Sequence, residues 1–282
     1  MPELPEVQTV TSQLGKKITG KRIAGFWSDW EKQVKPGVKQ LSKLAVGAMV
    51  LGTRRIGKHI VIDLDNGYSL VIHLKMSGHL LVKDASNAGA REWDDPMNRF
   101  IHHRIDFMDG AWVDFSDLRK FGWIDCVATS EVKSMKSIAA LGLDALAREC
   151  DLEFFEALLR KNRNKRIATL LLEQDKIAGI GNIYRSEMLY RAGIRPTRLV
   201  SKVTRAERAR LFQSMREVLY EAVRLRGTTD GDFRDTAGKP GGFQKTLYVY
   251  GREGLACKRC DTMVVRKKIG QRSVFYCPKC QV

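Results

Sequence analysis

Four of the six cysteines fall in the last 26 residues, as Cys257-x2-Cys260, sixteen intervening residues, then Cys277-x2-Cys280. Two tight knuckles at that spacing present four thiolates to one tetrahedral zinc ion. The pattern limits severely what this end of the chain can fold into. A tail of fewer than about 40 residues cannot bury an adequate core, so the metal must supply most of its folding free energy. Four protein ligands leave no open position for water, which makes the expected zinc structural. Two disulfides are the alternative, but a cytoplasmic chain disfavours them. Between the knuckles, Val264–Lys268 and Gln271–Tyr276 read as two strands of a basic hairpin able to set Arg272 against phosphate. Many zinc ribbons bind protein instead, and the module by itself leaves both uses open.

At 282 residues and 44% hydrophobic content, the chain can build two real cores and a small appendage. No run reaches the roughly 18 apolar residues of a membrane span, and the polar N-terminus lacks a secretory h-region, so the expected location is cytoplasmic. A balance of 49 Lys+Arg against 32 Asp+Glu gives +17, which suits a polyanion, nucleic acid first among them. The basic residues recur along the whole chain and form no single juxtamembrane cluster, which argues against a membrane surface. On charge alone, ribosome association stays open. Cys126 and Cys150, alone in apolar or helical surroundings, read as buried structural thiols.

Short β-type runs dominate from about Ile18 to Val127: Ile23–Phe26, Met49–Arg55, His59–Leu64, Tyr68–Leu74, His79–Val82, Ile101–Phe107 and Trp112–Phe115. Turn signals such as Asp65-Asn66-Gly67 and Asp109-Gly110 separate them, as in hairpins of a sandwich or barrel. Pro5 to Leu14 reads as a short helix with proline in its first turn. After about Glu131 the period becomes helical, over Asp151–Lys161, Arg166–Gln174, Ile183–Ala192 and Arg205–Arg226. Thr204 and Glu207 form a capping box for the last of these, and Gly227 ends it. Thr228 to Phe243, rich in Gly, Asp and Thr, reads as a mobile loop, either functional or a linker into the tail.

The chain opens MPELPEV. Removal of Met1 exposes the secondary amine of Pro2, whose pKa of roughly 7.7–8 lies far below the roughly 10.4 of lysine. A sizeable neutral fraction exists near neutral pH, and a neutral amine is a nucleophile.

PELPEV at the start, Asn182 within GIGNIYRSE and a terminal CKRC…FYCPKC finger together resemble the formamidopyrimidine-DNA glycosylase branch of the family that also contains endonuclease VIII. The resemblance covers essentially the whole chain. It implies an α+β protein: an N-terminal β-sandwich catalytic domain with its N-terminal helix (1–130), a helix-two-turn-helix DNA-binding domain (131–227), a loop that caps the everted lesion (228–243) and a zinc finger (244–282), with DNA in the cleft. It implies base-excision repair of oxidised purines such as 8-oxoguanine and formamidopyrimidines, followed by strand cutting.

The resemblance also implies roles. Pro2 becomes the Schiff-base nucleophile, Glu3 the general acid and Glu6 a supporting carboxylate. Gln8 departs from the usual glutamate, with little effect expected. Lys58 and Arg272 are implied to contact phosphate and donate protons during elimination, and Asn182 to complete the phosphate clamp. A solvated turn lysine is the plain reading of Lys58; for His73, phosphate contact and a buried neutral imidazole stand side by side. Met76, Arg119 and Phe121 are implied to fill the gap left by the flipped nucleotide, although Met76 and Phe121 taken alone read as core. Where many relatives carry IKTLLLDQ, this chain has Ile167-Ala168-Thr169, and the missing lysine touches substrate preference. The implied partner is damaged double-stranded DNA, the protein acting as a monomer with one zinc. The alternatives are an oxidised-pyrimidine glycosylase of the endonuclease VIII type and a non-catalytic zinc-finger DNA-binding protein.

Overall fold

The computed structural model describes residues 2–282; Met1, whose removal the sequence reading requires, lies outside the described residues. Two compact units emerge, one formed by the residues up to Ala139 with Val223–Gln244, the other by Ala140–Ala222 with Lys245–Val282. This division cuts the chain differently from the boundaries drawn on the sequence, because residues 131–139 and the 228–243 loop both fall in the first unit.

In chain order the first unit contains α1 (Leu4–Ile18), β1 (Ile23–Ser28), β2 (Val34–Lys35), α2 (Val38–Ala45), β3 (Val50–Ile56), β4 (His59–Leu64), β5 (Tyr68–His73), β6 (His79–Lys83), β7 (Ile101–Phe107), β8 (Trp112–Ser116), β9 (Trp123–Ala128) and α3 (Lys136–Ala139). Two sheets form, in the orders β1-β7-β8-β6 and β2-β9-β5-β4-β3. Their facing residues share one core, Ile60, Ile72 and Leu70 from one sheet meeting Leu80, Ile105 and Val113 from the other. This is the expected β-sandwich. Val7, Val10 and Leu14, at helical spacing on α1, complete the same core. Outside it, Val132 and Ile138 cover Val61 and Val71 on the opposite face of the larger sheet, which is why residues 131–139 stay with this unit.

Three departures from the sequence reading have physical causes. β9 lies between β5 and β2 and places Ile124 and Cys126 in the core, yet it follows Lys120-Phe121-Gly122 directly and is interrupted by Asp125, so the alternation is easy to miss. Of the expected 166–174 helix only Ile167–Leu170 forms. The chain then turns about the amide of Gln174, which donates to the Leu172 and Ile180 carbonyls and accepts from the Gly179 N–H. The loop expected to be mobile is fastened: Thr236 accepts from the Val82 N–H (2.9 Å), Gln13 accepts from the Thr236 N–H (3.0 Å), and Arg234 pairs with Asp95 (2.7 Å). Within it Asp230 and Gly231 are exposed, whereas Phe233 is part of the sandwich core.

The second unit contains α4 (Leu152–Lys161), α5 (Ile167–Leu170), α6 (Asn182–Ala192) and most of α7 (Arg205–Arg224), with the parallel pair β10 (Leu143–Asp144) and β11 (Ile177–Ala178) and the antiparallel hairpin β12 (Val265–Ile269) and β13 (Arg272–Tyr276). The expected capping box of α7 is present: the Thr204 N–H donates to Glu207 (2.7 Å) and the Glu207 N–H to Thr204 Oγ1 (3.3 Å). The Arg198 guanidinium beside Glu207 brings its carboxyl down to about 2. Burial pushes the thiols of Cys126 and Cys150 up to about 11, as fits inert structural cysteines. Glu187, wholly buried on α6, is a polar anchor that accepts from the N–H groups of Tyr248 (2.9 Å), Val249 (3.0 Å) and Tyr250 (2.9 Å). Truncation strands three donors, that of Val249 buried and those of Tyr248 and Tyr250 half-buried, and a buried unsatisfied donor costs about 1–3 kcal/mol. Glu187→Ala is expected to lower stability by about 3–5 kcal/mol in urea titrations, and Glu187→Gln, which keeps one acceptor oxygen, by less.

Candidate active site

The head of α1 breaks an ordinary capping preference. Its N-cap is Glu3, not the Ser, Thr, Asp or Asn that usually occupies the position, and Pro5 follows in the first turn. Glu3 and Glu6 close a capping box, the Glu3 N–H donating to Glu6 Oε2 at 2.7 Å. The other Glu6 oxygen accepts from the Thr228 N–H at 2.6 Å. One carboxylate therefore ties the start of the chain to the root of the 228–243 loop. Pro2, Glu3 and Glu6 are all buried. Gly227 has φ +78°, and a Cβ there would stand 2.6 Å from Glu6 Oε1, so glycine serves both the backbone and the carboxylate.

Gly57 and Lys58 form the two-residue turn joining β3 to β4, with Ile56 paired to His59 and Gly57 at φ +56°. Lys58 is only 8% exposed, which removes the reading as a solvated turn lysine. Gln8, expected to matter little, braces this turn: Arg55 donates to Gln8 Oε1 (2.8 Å) and to the Gly57 carbonyl (2.8 Å). His73 lies half-buried at the end of β5, edge-on to His59 with ring centroids 4.8 Å apart. Desolvation, then the charges of His59, Lys75 and Lys58, bring its pKa down to about 3, while burial brings His59 to about 4. His73 Nδ1 accepts from the Lys75 N–H (2.9 Å), which leaves the proton of the neutral ring on Nε2 as a donor.

Met76, Arg119 and Phe121 meet at the surface of the same unit. Arg119 Nη1 lies 3.1 Å from the Met76 sulfur, and the guanidinium carbon 5.0 Å from the centre of the Phe121 ring. Met76 is 37% and Phe121 48% exposed, so neither is core. Asp117 shapes the loop that carries two of them, accepting from Ser77 Oγ (2.5 Å), the Arg119 N–H (3.2 Å) and the Gly122 N–H (2.7 Å). An apolar pair beside a cation is thus left exposed, its supporting loop braced by Asp117.

In the second unit, Gly181 caps α6 and Asn182 is its first residue. The Asn182 amide oxygen accepts from Arg185 (2.5 Å), which turns its N–H donors the other way. Arg272 is exposed just after the Gly270-Gln271 turn, where Gly270 supplies the positive φ that opens a two-residue hairpin. Ala168 is wholly buried. The sulfurs of Cys257, Cys260, Cys277 and Cys280 all lie within 4.8 Å of one another, with individual separations of 3.9, 3.4 and 3.3 Å. Tetrahedral ligands about 2.3 Å from zinc stand about 3.8 Å apart, so the cage fits one such ion. The Tyr190 hydroxyl (3.3 Å) and the Arg259 N–H (3.5 Å) both reach Cys257 Sγ, orienting it as a thiolate.

Two outcomes follow from the first unit. The folded pKa values of His59 and His73 lie below the unfolded value of about 6.5, so the stability these neutral rings support is complete above that pH and drains as pH falls toward about 4 and about 3. In thermal melts between pH 8 and pH 4, which take in the upper part of that window, His73→Gln is expected to flatten the acid-side decline in Tm. Gly227→Ala is expected to cost about 2 kcal/mol or more in denaturant titrations, against about 1 for Gly20→Ala, where φ is also positive but nothing lies near the added methyl.

Three family models cover the chain in order: the formamidopyrimidine-DNA glycosylase N-terminal domain over residues 1–124, the H2TH domain of the same family over 141–233, and the zinc finger found in FPG and IleRS over 254–282. A formamidopyrimidine-DNA glycosylase of Pelotomaculum thermopropionicum is 40% identical over 282 residues, covering 100% of this chain and 99% of that protein. Lactococcus lactis Fpg in complex with abasic-site DNA superposes with a TM-score of 0.87 at 30% identity, over 99% of both chains. A MutM structure with carbocyclic 8-oxo-G containing DNA gives 0.86 at 32% identity, again over 99% of both chains. With all three modules present in order and relatives aligned end to end, the chain belongs to the formamidopyrimidine-DNA glycosylase family.

Proposed function

We propose that this glycosylase excises oxidised purines, 8-oxoguanine and formamidopyrimidines, from double-stranded DNA and then cuts the strand at the abasic site. The observation that carries the reading is the Pro2-Glu3 pair at the head of α1, its backbone held by the Glu6 carboxylate that also holds the root of the capping loop. The neutral Pro2 nitrogen attacks C1′ of the everted nucleotide and the glycosidic bond breaks. Glu3 protonates the sugar ring oxygen, the ring opens, and nitrogen and C1′ become a cationic iminium. That cation acidifies the C2′ protons, so loss of one expels the 3′ phosphate, and a second elimination expels the 5′ phosphate. Lysine could form the same adduct only after losing a proton from a far higher pKa.

In this reading Lys58 and the Nε2–H of His73 hold phosphate from the first unit, Asn182 and Arg272 from the second, with Lys58 and Arg272 supplying protons to the eliminations. Met76, Arg119 and Phe121 occupy the space vacated by the flipped nucleotide, Arg119 facing the orphaned base. The exposed stretch about Asp230 and Gly231 is the part of the loop that closes over the lesion. The zinc holds the finger's shape and takes no part in the chemistry, since its four thiolates fill its coordination. The protein works as a monomer on DNA in the bacterial cytoplasm.

Borohydride reduces an iminium to a stable amine. With a duplex carrying an abasic site, the wild-type chain is expected to give a covalent complex whose adduct maps to Pro2, and Pro2→Gly to give little while still binding the duplex. Equal trapping by the variant, or an adduct on an internal lysine, removes Pro2 from this role. Excision from 8-oxoguanine duplexes well above that from thymine glycol duplexes separates the reading from the oxidised-pyrimidine alternative.

A further inference from the structure

Arg185 is a buried cation to which the reaction above gives no part. It is 1% exposed on α6. Among the acceptors of its guanidinium are the Ala168 carbonyl on α5 (3.2 Å), the Asn182 amide oxygen (2.5 Å) and the Ser273 carbonyl on β13 (2.9 Å), on three separate segments. The last two bonds come from one nitrogen, Nη2. Asn182 and Ser273 lie 91 positions apart in the sequence, and Ser273 is the residue after Arg272. A single planar nitrogen therefore fixes both the rotamer of Asn182 and the strand that begins with Arg272.

We propose that Arg185 is a positioning residue that sets the two phosphate donors of the second unit, Asn182 and Arg272, in one fixed relation. The assignment rests on the reading of those two residues as phosphate contacts. The geometry asks for arginine: two hydrogen bonds diverging from Nη2 and a third from Nη1 need a rigid fork, whereas the lysine ammonium is a compact point on a flexible stem. By holding Asn182 Oδ1, Arg185 also decides which face of that amide is presented as donor.

The test is equilibrium binding of the zinc-loaded full chain to a duplex carrying a tetrahydrofuran abasic analogue, across a sodium chloride series, for wild type, Arg185→Lys, Asn182→Ala, Arg272→Ala and the Asn182→Ala/Arg185→Lys double variant. Arg185→Lys keeps the buried charge. The expected result is a loss of affinity of about tenfold and a salt slope reduced toward that of Arg272→Ala, by up to about 0.9, the contribution of one neutralised phosphate. Asn182→Ala is expected to cost much less in the Arg185→Lys background than in wild type, the signature of residues that act together. A melting temperature lowered with affinity and slope unchanged, or additive losses in the double variant, shows a packing role and overturns the proposal. If Arg185→Lys does not accumulate as folded protein, Arg185→Gln carries the same comparison. Wild-type binding by both Asn182→Ala and Arg272→Ala defeats the phosphate reading, and this inference with it; losses in those two without loss in Arg185→Lys defeat the inference alone.

Discussion

The carboxylate of Glu6 is the interaction that holds the head of α1 and the root of the 228–243 loop together. It accepts the Glu3 N–H at 2.7 Å and the Thr228 N–H at 2.6 Å, joining residues 222 or more positions apart through one rigid group. Backbone N–H groups at the start of a helix are orphan donors that something must satisfy. Here the same side chain that satisfies one of them also fixes the direction in which the chain leaves α7. The helix start is thus capped by two acidic side chains, Glu3 and Glu6, in place of the usual Ser, Thr, Asp or Asn.

Much of this was legible in the residues. The cysteine spacing announced a metal cage because tetrahedral coordination demands short knuckles, and the four sulfurs converge accordingly. The strands of the sandwich could be read from alternation and turn residues, and α7 from its capping box. What escaped was set by side chains acting over long sequence distances. Nothing local marks Gln174 as the amide about which the chain turns, nor Gln8 as the acceptor that braces the Lys58 turn through Arg55. β9 was hidden because its inward positions, Ile124 and Cys126, alternate with Asp125 and follow a run of basic and aromatic residues. The fastening of the 228–243 loop was equally hidden, since its partners Val82, Gln13 and Asp95 belong to remote segments.

For the site, the residue types were visible and their surroundings were not. Met76 and Phe121 look like core residues in a list of letters, and only the structure leaves them exposed beside Arg119. Lys58 looks like a surface lysine and is buried. His73 reads as ambiguous until the Lys75 N–H occupies its Nδ1 and burial fixes it neutral. The outcome for Lys58 comes from burial, that for His73 from burial and a hydrogen bond to the backbone, and that for Met76 and Phe121 from exposure, quantities that a sequence pattern does not encode.

The first unit is discontinuous: it needs Val223–Gln244 as well as everything up to Ala139. A ribosome delivers the chain from its N-terminus, so the head of α1 emerges long before the segment that donates to Glu6 and before Phe233, which completes the sandwich core. The nascent β-sandwich must wait for the whole helical region to be translated before the head of α1 gains its hydrogen bond from Thr228. A chain truncated anywhere before the loop thus lacks both the hydrogen bond from the loop root to Glu6 and the Phe233 side chain of the sandwich core.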